Sequence, residues 1–128
     1  MLAMVSVRYI VDDVDAAIAF YGDQLGFEVQ MRPAPPFAML ARGDLRLLLS
    51  APSGRGGGGM TLADGRVPEP GGWNRFQLEV EDLDAEVERL RAAGVTFRSD
   101  VVHGVGGDQV LIEDPAGNPV ELFAAVSS

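Results

Sequence analysis

Apolar and polar positions alternate at the start of the chain. Val5, Val7, Tyr9 and Val11 form one set, and Ser6, Arg8 and Ile10 form the other. A period of two is that of a strand with one buried face. The period then lengthens. Asp13 offers a helix N-cap, and Asp15 stands in the first turn, where the helix dipole favours an anion. Ala16, Ala17, Phe20, Tyr21 and Leu25 follow at helical spacing, and Gly26 is a suitable stop. Residues 27–31 read as a second strand, and Pro33, Pro35 and Pro36 impose a turn or a sheet edge. Residues 37–41 and 45–49 read as two more strands, joined at Gly43-Asp44.

The second half repeats the plan. Phe76, Leu78 and Val80 alternate with Arg75, Gln77 and Glu79. Asp82 caps a helix with the apolar stripe Leu83, Val87, Leu90 and Ala93, and Gly94 ends it. Residues 95–97, 109–113 and 119–125 read as strands, the last two joined by a tight turn through Asp114, Pro115, Gly117 and Asn118. Each half is therefore β-α-β-β-β. The phrase Val11-Asp12-Asp13-Val14-Asp15-Ala16 returns as Val80-Glu81-Asp82-Leu83-Asp84-Ala85, an offset of 69 residues (82 − 13). An internal repeat constrains architecture more than any single motif. Module 1 spans about residues 4–50 and module 2 about 73–125, within one domain of 128 residues. Residues 51–72, rich in glycine and proline, read as a linker or loop. The glycine run lacks the flanking strand, helix and Lys-Ser/Thr pair of a phosphate cradle.

Composition narrows the function classes. With 47% hydrophobic and 23% charged residues the chain has the make-up of a soluble globular protein. A net charge of −9 opposes nucleic acid and anionic membrane surfaces as partners. The absence of cysteine excludes a disulfide scaffold and a thiol nucleophile, and fits a cytoplasmic protein. Residues 1–7 are too short an apolar run for a signal peptide, and no run spans a bilayer.

These residues resemble the vicinal oxygen chelate superfamily, which includes glyoxalase I, the bleomycin-resistance proteins and the extradiol dioxygenases. The matching elements in the first half are residues 11–15, Ala19-Phe20-Tyr21 and Leu25-Gly26-Phe27. In the second half they are residues 80–84, Ala93-Gly94-Val95 and residues 114–122. The resemblance implies an α+β fold in which two βαβββ modules form a cup-shaped mixed sheet, with the helices on its outer face. Enzymes of the family hold a metal by the first and last strands of each module. The first-strand ligand stands seven residues before the capping aspartate. That places it at Ser6 and Arg75, and strand alignment puts the last-strand ligands at Leu48 (Leu47 if the register slips by one) and Glu121.

Those residues do not make a metal site. Leucine has no lone pair, arginine has no acceptor, and a serine hydroxyl is a poor ligand beside imidazole or carboxylate. Arg75 and Glu121 would both point at one metal, so they are expected to form an ion pair instead. Alternation adds Arg8, Gln77 and Phe123 to the residues expected to line the cup, and Phe37, Met39 and Trp73 complete the set. The single histidine, His103, falls in a loop off the ligand positions and reads as solvated. The function expected is metal-independent binding of a small, partly aromatic molecule, such as an antibiotic or toxic metabolite, without cofactor. The resemblance implies a homodimer. A metal-dependent lyase or dioxygenase is the alternative, and an accessory module with a self-filled cup is a third. The charge of −9 favours a cationic ligand, whereas Arg8 and Arg75 favour an anionic or carbonyl group.

Overall fold

Two aspartates start two helices in the same way. Asp13 lies in extended backbone (φ −132°, ψ 105°), and its side chain accepts the Ala16 N–H at 3.1 Å. Asp82 has φ −130° and ψ 95°, and accepts the Ala85 N–H at 3.0 Å. In both cases the carboxylate satisfies an N–H that the first helical turn leaves open. The 69-residue offset is thus a repeat of local geometry as well as of letters.

The computed structural model describes residues 5–52 and 58–126. Its contacts divide the chain into two compact units, residues 1–71 and 72–128. Unit 1 runs β1 (Val5–Ile10), α1 (Val14–Leu25), β2 (Glu28–Ala34), β3 (Phe37–Arg42) and β4 (Leu45–Ser50). Its mixed sheet has the order β1-β4-β3-β2, with β1 and β4 parallel and the other pairs antiparallel. Unit 2 runs β5 (Gln77–Glu79), α2 (Leu83–Ala92), β6 (Thr96–Phe97), β7 (Val102–His103), β8 (Gly107–Glu113) and β9 (Pro119–Ala125). Its mixed sheet has the order β5-β9-β8-β6, with β7 paired to β8, and again only the first pair is parallel. The architecture is α+β, with two βαβββ-like modules.

In unit 1, α1 packs on β2, β3 and β4. The helix buries Val14, Ala17, Tyr21 and Leu25, the i, i+3, i+7, i+11 stripe of an amphipathic helix. Tyr9, Val11, Ala38, Leu40, Leu47 and Leu49 are buried with them. Tyr21 meets Phe27 edge to face, with ring centroids 5.5 Å apart. Gly26 closes the helix at φ 71°, a left-handed conformation that favours glycine. Because strand side chains alternate, the remaining set faces away from the helix. That set is Ser6, Arg8 and Ile10 on β1, Arg46, Leu48 and Ser50 on β4, and Phe37 and Met39 on β3.

Unit 2 follows the same logic with thinner elements. α2 packs on β9 and buries Leu83 and Leu90, while Ala93, expected to extend its stripe, is exposed. β5 is shorter than the predicted run of 75–80. Pairing continues at both ends as single bonds, Glu121 N–H to the Phe76 carbonyl and Val80 N–H to the Phe123 carbonyl. β5 is an edge strand, so no second neighbour extends its ladder. His103 lies on the short strand β7 opposite Asp108 and not in a loop. Its Nδ1 is 3.0 Å from the Asp108 carboxylate, and its side chain is exposed. Of the glycine-rich segment 53–59, residues 53–57 lie outside the described residues. Pro33 sits within β2, which is accommodated because β2 is the sheet edge.

Candidate functional site

The β8–β9 turn sets the register that places the central carboxylate. Asp114 Oδ1 accepts the N–H groups of Ala116 and Asn118, each at 2.9 Å, and Oδ2 accepts Asn118 Nδ2 at 3.0 Å. Gly117 takes φ 89°, which this tight return needs. With the turn fixed, Leu111 stands opposite Glu121, and Glu121 stands opposite Gln77. All three side chains therefore fall on the helix-free face of the unit 2 sheet.

Glu121 is buried, and both oxygens of its carboxylate are engaged. Oε1 accepts Arg75 Nε at 3.0 Å and lies 2.9 Å from Arg75 Nη2. Oε2 accepts Gln77 Nε2. The Glu121 side chain is 9% exposed and that of Arg75 27%, so the cation reaches in from a wetter rim. Taking a carboxylate out of water is costly unless it is paired and hydrogen-bonded. Here a side-on guanidinium and a primary amide provide both. The ion pair expected from the sequence is present.

Arg75 also donates through Nη1 to the Trp73 carbonyl at 3.2 Å. The Trp73 ring is covered by Arg98, whose guanidinium carbon lies 4.7 Å from the ring centroid. Arg98 pairs with Glu113 at 2.9 Å and donates to the carbonyls of Gly72 and Gly117. Trp73 is thus held by its backbone and by one face, yet remains 67% exposed. It presents an aromatic surface in a fixed position. Phe123 lies two residues beyond Glu121 on the same face, opposite Gln109 and Glu79. Sequence reasoning missed Arg98 and Leu111. Leu111 was legible from the alternation of residues 107–113, but Arg98 joins Trp73 across 25 residues of chain (98 − 73) with no local pattern to mark it.

On the helix-free face of unit 1, the row equivalent to Gln77–Glu121–Leu111 is Arg8–Leu48–Met39. Leu48 is therefore the register counterpart of Glu121, and the one-residue slip to Leu47 does not occur. Leu47 is fully buried with the helix-facing core. Ser6 pairs with Arg46, and Ser6 Oγ accepts Arg46 Nε at 3.0 Å. Phe37 pairs with Ser50 at the far end. Arg46 was the residue missed here, although it stands two positions from Leu48 on an otherwise apolar strand.

The donor set assigned to a metal thus consists of Ser6, engaged with Arg46, and Leu48, which has no donor atom. Arg75 is cationic, and Glu121 is engaged at both oxygens by Arg75 and Gln77. Among the described residues no group of three or more His, Asp or Glu side chains is placed to hold a metal ion. These residues do not fit the metal that enzymes of the resembled family carry.

A family model described as the Glyoxalase/Bleomycin resistance protein/Dioxygenase superfamily matches residues 3–122. No curated protein matches the chain. Among solved structures, a lactoylglutathione lyase from Agrobacterium tumefaciens is 28% identical, with a TM-score of 0.72 over 97% of this chain and 94% of that one. A superfamily member from Sphaerobacter thermophilus DSM 20745 is 27% identical, with a TM-score of 0.76 over 97% and 98%. TnmS3, an antibiotic binding protein from Streptomyces sp. CB03234, is similar in fold at 23% identity, with a TM-score of 0.72 over 98% of each chain.

Proposed function

The chain belongs to the glyoxalase/bleomycin resistance protein/dioxygenase superfamily, and from that premise we propose that it is a metal-independent binding protein for a small, partly aromatic molecule. The observation that carries this reading is the state of Glu121. Both of its oxygens are taken by Arg75 and Gln77, at the last-strand position where enzymes of the family keep a ligand. A carboxylate with donors on both oxygens stabilises the sheet and, without further ligating side chains beside it, is a poor holder for a catalytic divalent ion. No step through a metal follows from such a set.

The binding surfaces of this proposal are the helix-free sheet faces. In unit 2, Trp73 and Phe123 supply aromatic area, and Arg75, Gln77 and Glu121 supply oriented polar groups. In unit 1, Phe37, Met39 and Leu48 supply apolar contact beside Ser6 and Arg8. Apolar walls with a few fixed polar groups suit small organic ligands. The solved antibiotic binding protein TnmS3 supports this use of the fold. Binding alone suffices for the role we propose, because a sequestered antibiotic or toxic metabolite is removed from its target. A homodimer in the cytoplasm completes the proposal, and light scattering of the purified protein tests the dimer. Among the described residues, no helix is long and apolar enough to cross a membrane.

A second reading, a metal-dependent lyase or dioxygenase, is favoured by the 28% identity to the lactoylglutathione lyase. A thermal-shift screen against aromatic antibiotics, run beside metal analysis of the same preparation, separates the two. The binder predicts a melting temperature that rises with ligand concentration in protein free of stoichiometric metal. Stoichiometric Ni, Zn, Fe or Mn with metal-dependent turnover would establish the enzyme. No response to any ligand would indicate the accessory module.

A further inference from the structure

Arginine is the chain's only permanently cationic side chain, since it has no lysine. Among the described residues, every arginine except Arg8, Arg42 and Arg46 has a carboxylate within ion-pair distance. Arg42 belongs, by strand alternation, to the set of Ala38 and Leu40 at the end of β3. Arg8 and Arg46 share the helix-free face of unit 1. In a protein of net charge −9, two adjoining guanidiniums without a carboxylate are a local exception that needs a reason. Arg46 is in register with Ser6, and Arg8 stands two residues beyond Ser6 on the same strand. Two residues of strand and one strand spacing put their Cα atoms about 8 Å apart, within joint reach of one small group. Asp44, two residues before Arg46 at the β3–β4 turn, is not within ion-pair distance of a described arginine, and the acidic residue in register with Arg46 is Glu28, opposite Ala41 and so two strands away. That is about 10 Å, near the screening length of physiological salt.

The Arg46 guanidinium is also oriented, and that of Arg8 is covered on one side. Ser6 Oγ accepts Arg46 Nε and leaves its terminal Nη1 and Nη2 as an end-on fork. The backbone at Gly58 lies so close over Arg8 that a Cβ there would collide with Arg8 Cδ, Nε and Nη1. A second polar group on this face lacks a partner. The Ser50 hydroxyl is buried, with 1% of the residue exposed, and has no hydrogen bond among the described residues. Ser50 is in register with Ile10 and Phe37, one step along the face from Arg8 and Leu48. Between these groups stand Leu48 and Met39, which are apolar.

We infer that this face of unit 1 is a subsite for an organic anion, with its carboxylate or equivalent oxyanion on Arg8 and Arg46 and its apolar body on Leu48 and Met39. The inference rests on the binder reading and gives it a ligand class. The conflict between the acidic protein and its local arginines is resolved at Arg8 and Arg46. Arg75 is neutralised by Glu121, so it offers a ligand no uncompensated charge. Planar oxyanions match the guanidinium fork, and each such bond lost weakens binding by about tenfold.

The test titrates the full-length protein with benzoate and with its neutral isostere benzamide at constant ionic strength, by calorimetry and by melting temperature. We expect saturable benzoate binding that is at least about tenfold tighter than benzamide binding. Arg8→Gln and Arg46→Gln should each weaken benzoate by about tenfold, while Arg42→Gln leaves it unchanged. Circular dichroism and the ligand-free melting temperature of each variant establish that it is folded. Arg46→Lys, which keeps charge but loses the fork, provides a second test and should fall between wild type and Arg46→Gln. Equal affinity for benzoate and benzamide would overturn the inference. So would benzoate binding unchanged in both Arg→Gln variants, or antibiotics that bind where benzoate does not, and each of these outcomes leaves the binder reading standing. No response to benzoate, benzamide or any aromatic antibiotic would overturn both.

Discussion

Arg75 and Glu121 are paired, but losing one is not equivalent to losing the other. Arg75→Ala would leave a carboxylate in a site only 9% exposed, with Gln77 as its remaining donor. Glu121→Gln would leave a guanidinium that is 27% exposed and can recover water. The expected costs are about 2 kcal/mol for Arg75→Ala and about 1 kcal/mol for Glu121→Gln. Urea unfolding of the two variants and of the double variant measures both the asymmetry and the coupling. Glycines make a second residue-scale contrast. A Cβ at Gly58 meets only the flexible end of Arg8, whereas one at Gly59 meets the Ala51 backbone carbonyl. Gly59→Ala is therefore expected to lose about 1–3 kcal/mol and Gly58→Ala to lose little, while displacing Arg8. The Arg75–Glu121 pair was legible in the sequence because the repeat gave both residues a position on a shared face. Arg46 was not, because its meaning depends on the parallel register that brings it beside Ser6, 40 residues away.

At the scale of elements, the capping aspartates predict parallel effects in the two units. Asp13→Ala and Asp82→Ala each remove one side-chain acceptor from a first-turn N–H and should each cost about 1 kcal/mol. The caps share no hydrogen-bond partner, so the double variant should lose the sum, which thermal or urea unfolding will read. β8 carries a different constraint. At Gly107 (φ 155°), a Cβ would meet the Ala124 carbonyl and the ring of Phe123. Gly107→Ala should destabilise unit 2 and displace Phe123, visible as a shifted aromatic signal in proton NMR. The strands and helices were largely legible because their periods of 2 and 3.6 are local properties of the chain. β7 was not, since Val102 and His103 form a strand only through their pairing with β8. β5 was overestimated because alternation marks which residues could pair and cannot count the neighbours available to an edge.

At the scale of the molecule, the duplicated βαβββ plan fixes the family, and the side chains at equivalent positions decide the chemistry. The two sheets have the same order and the same parallel first pair, yet their central rows differ: Arg8–Leu48–Met39 in one and Gln77–Glu121–Leu111 in the other. A fold of this kind hosts unrelated functions, so activity is argued from those rows and not from the architecture. The central claim is that ligand binding needs no metal. Its most direct test is the melting temperature as a function of antibiotic concentration, measured on the same protein before and after exhaustive chelation. A ligand binding only the folded state at 100 times its Kd should add about 2.7 kcal/mol of stability. Identical saturable rises in the chelated and unchelated samples are the predicted result. A rise that disappears on chelation and returns with stoichiometric divalent metal would contradict it.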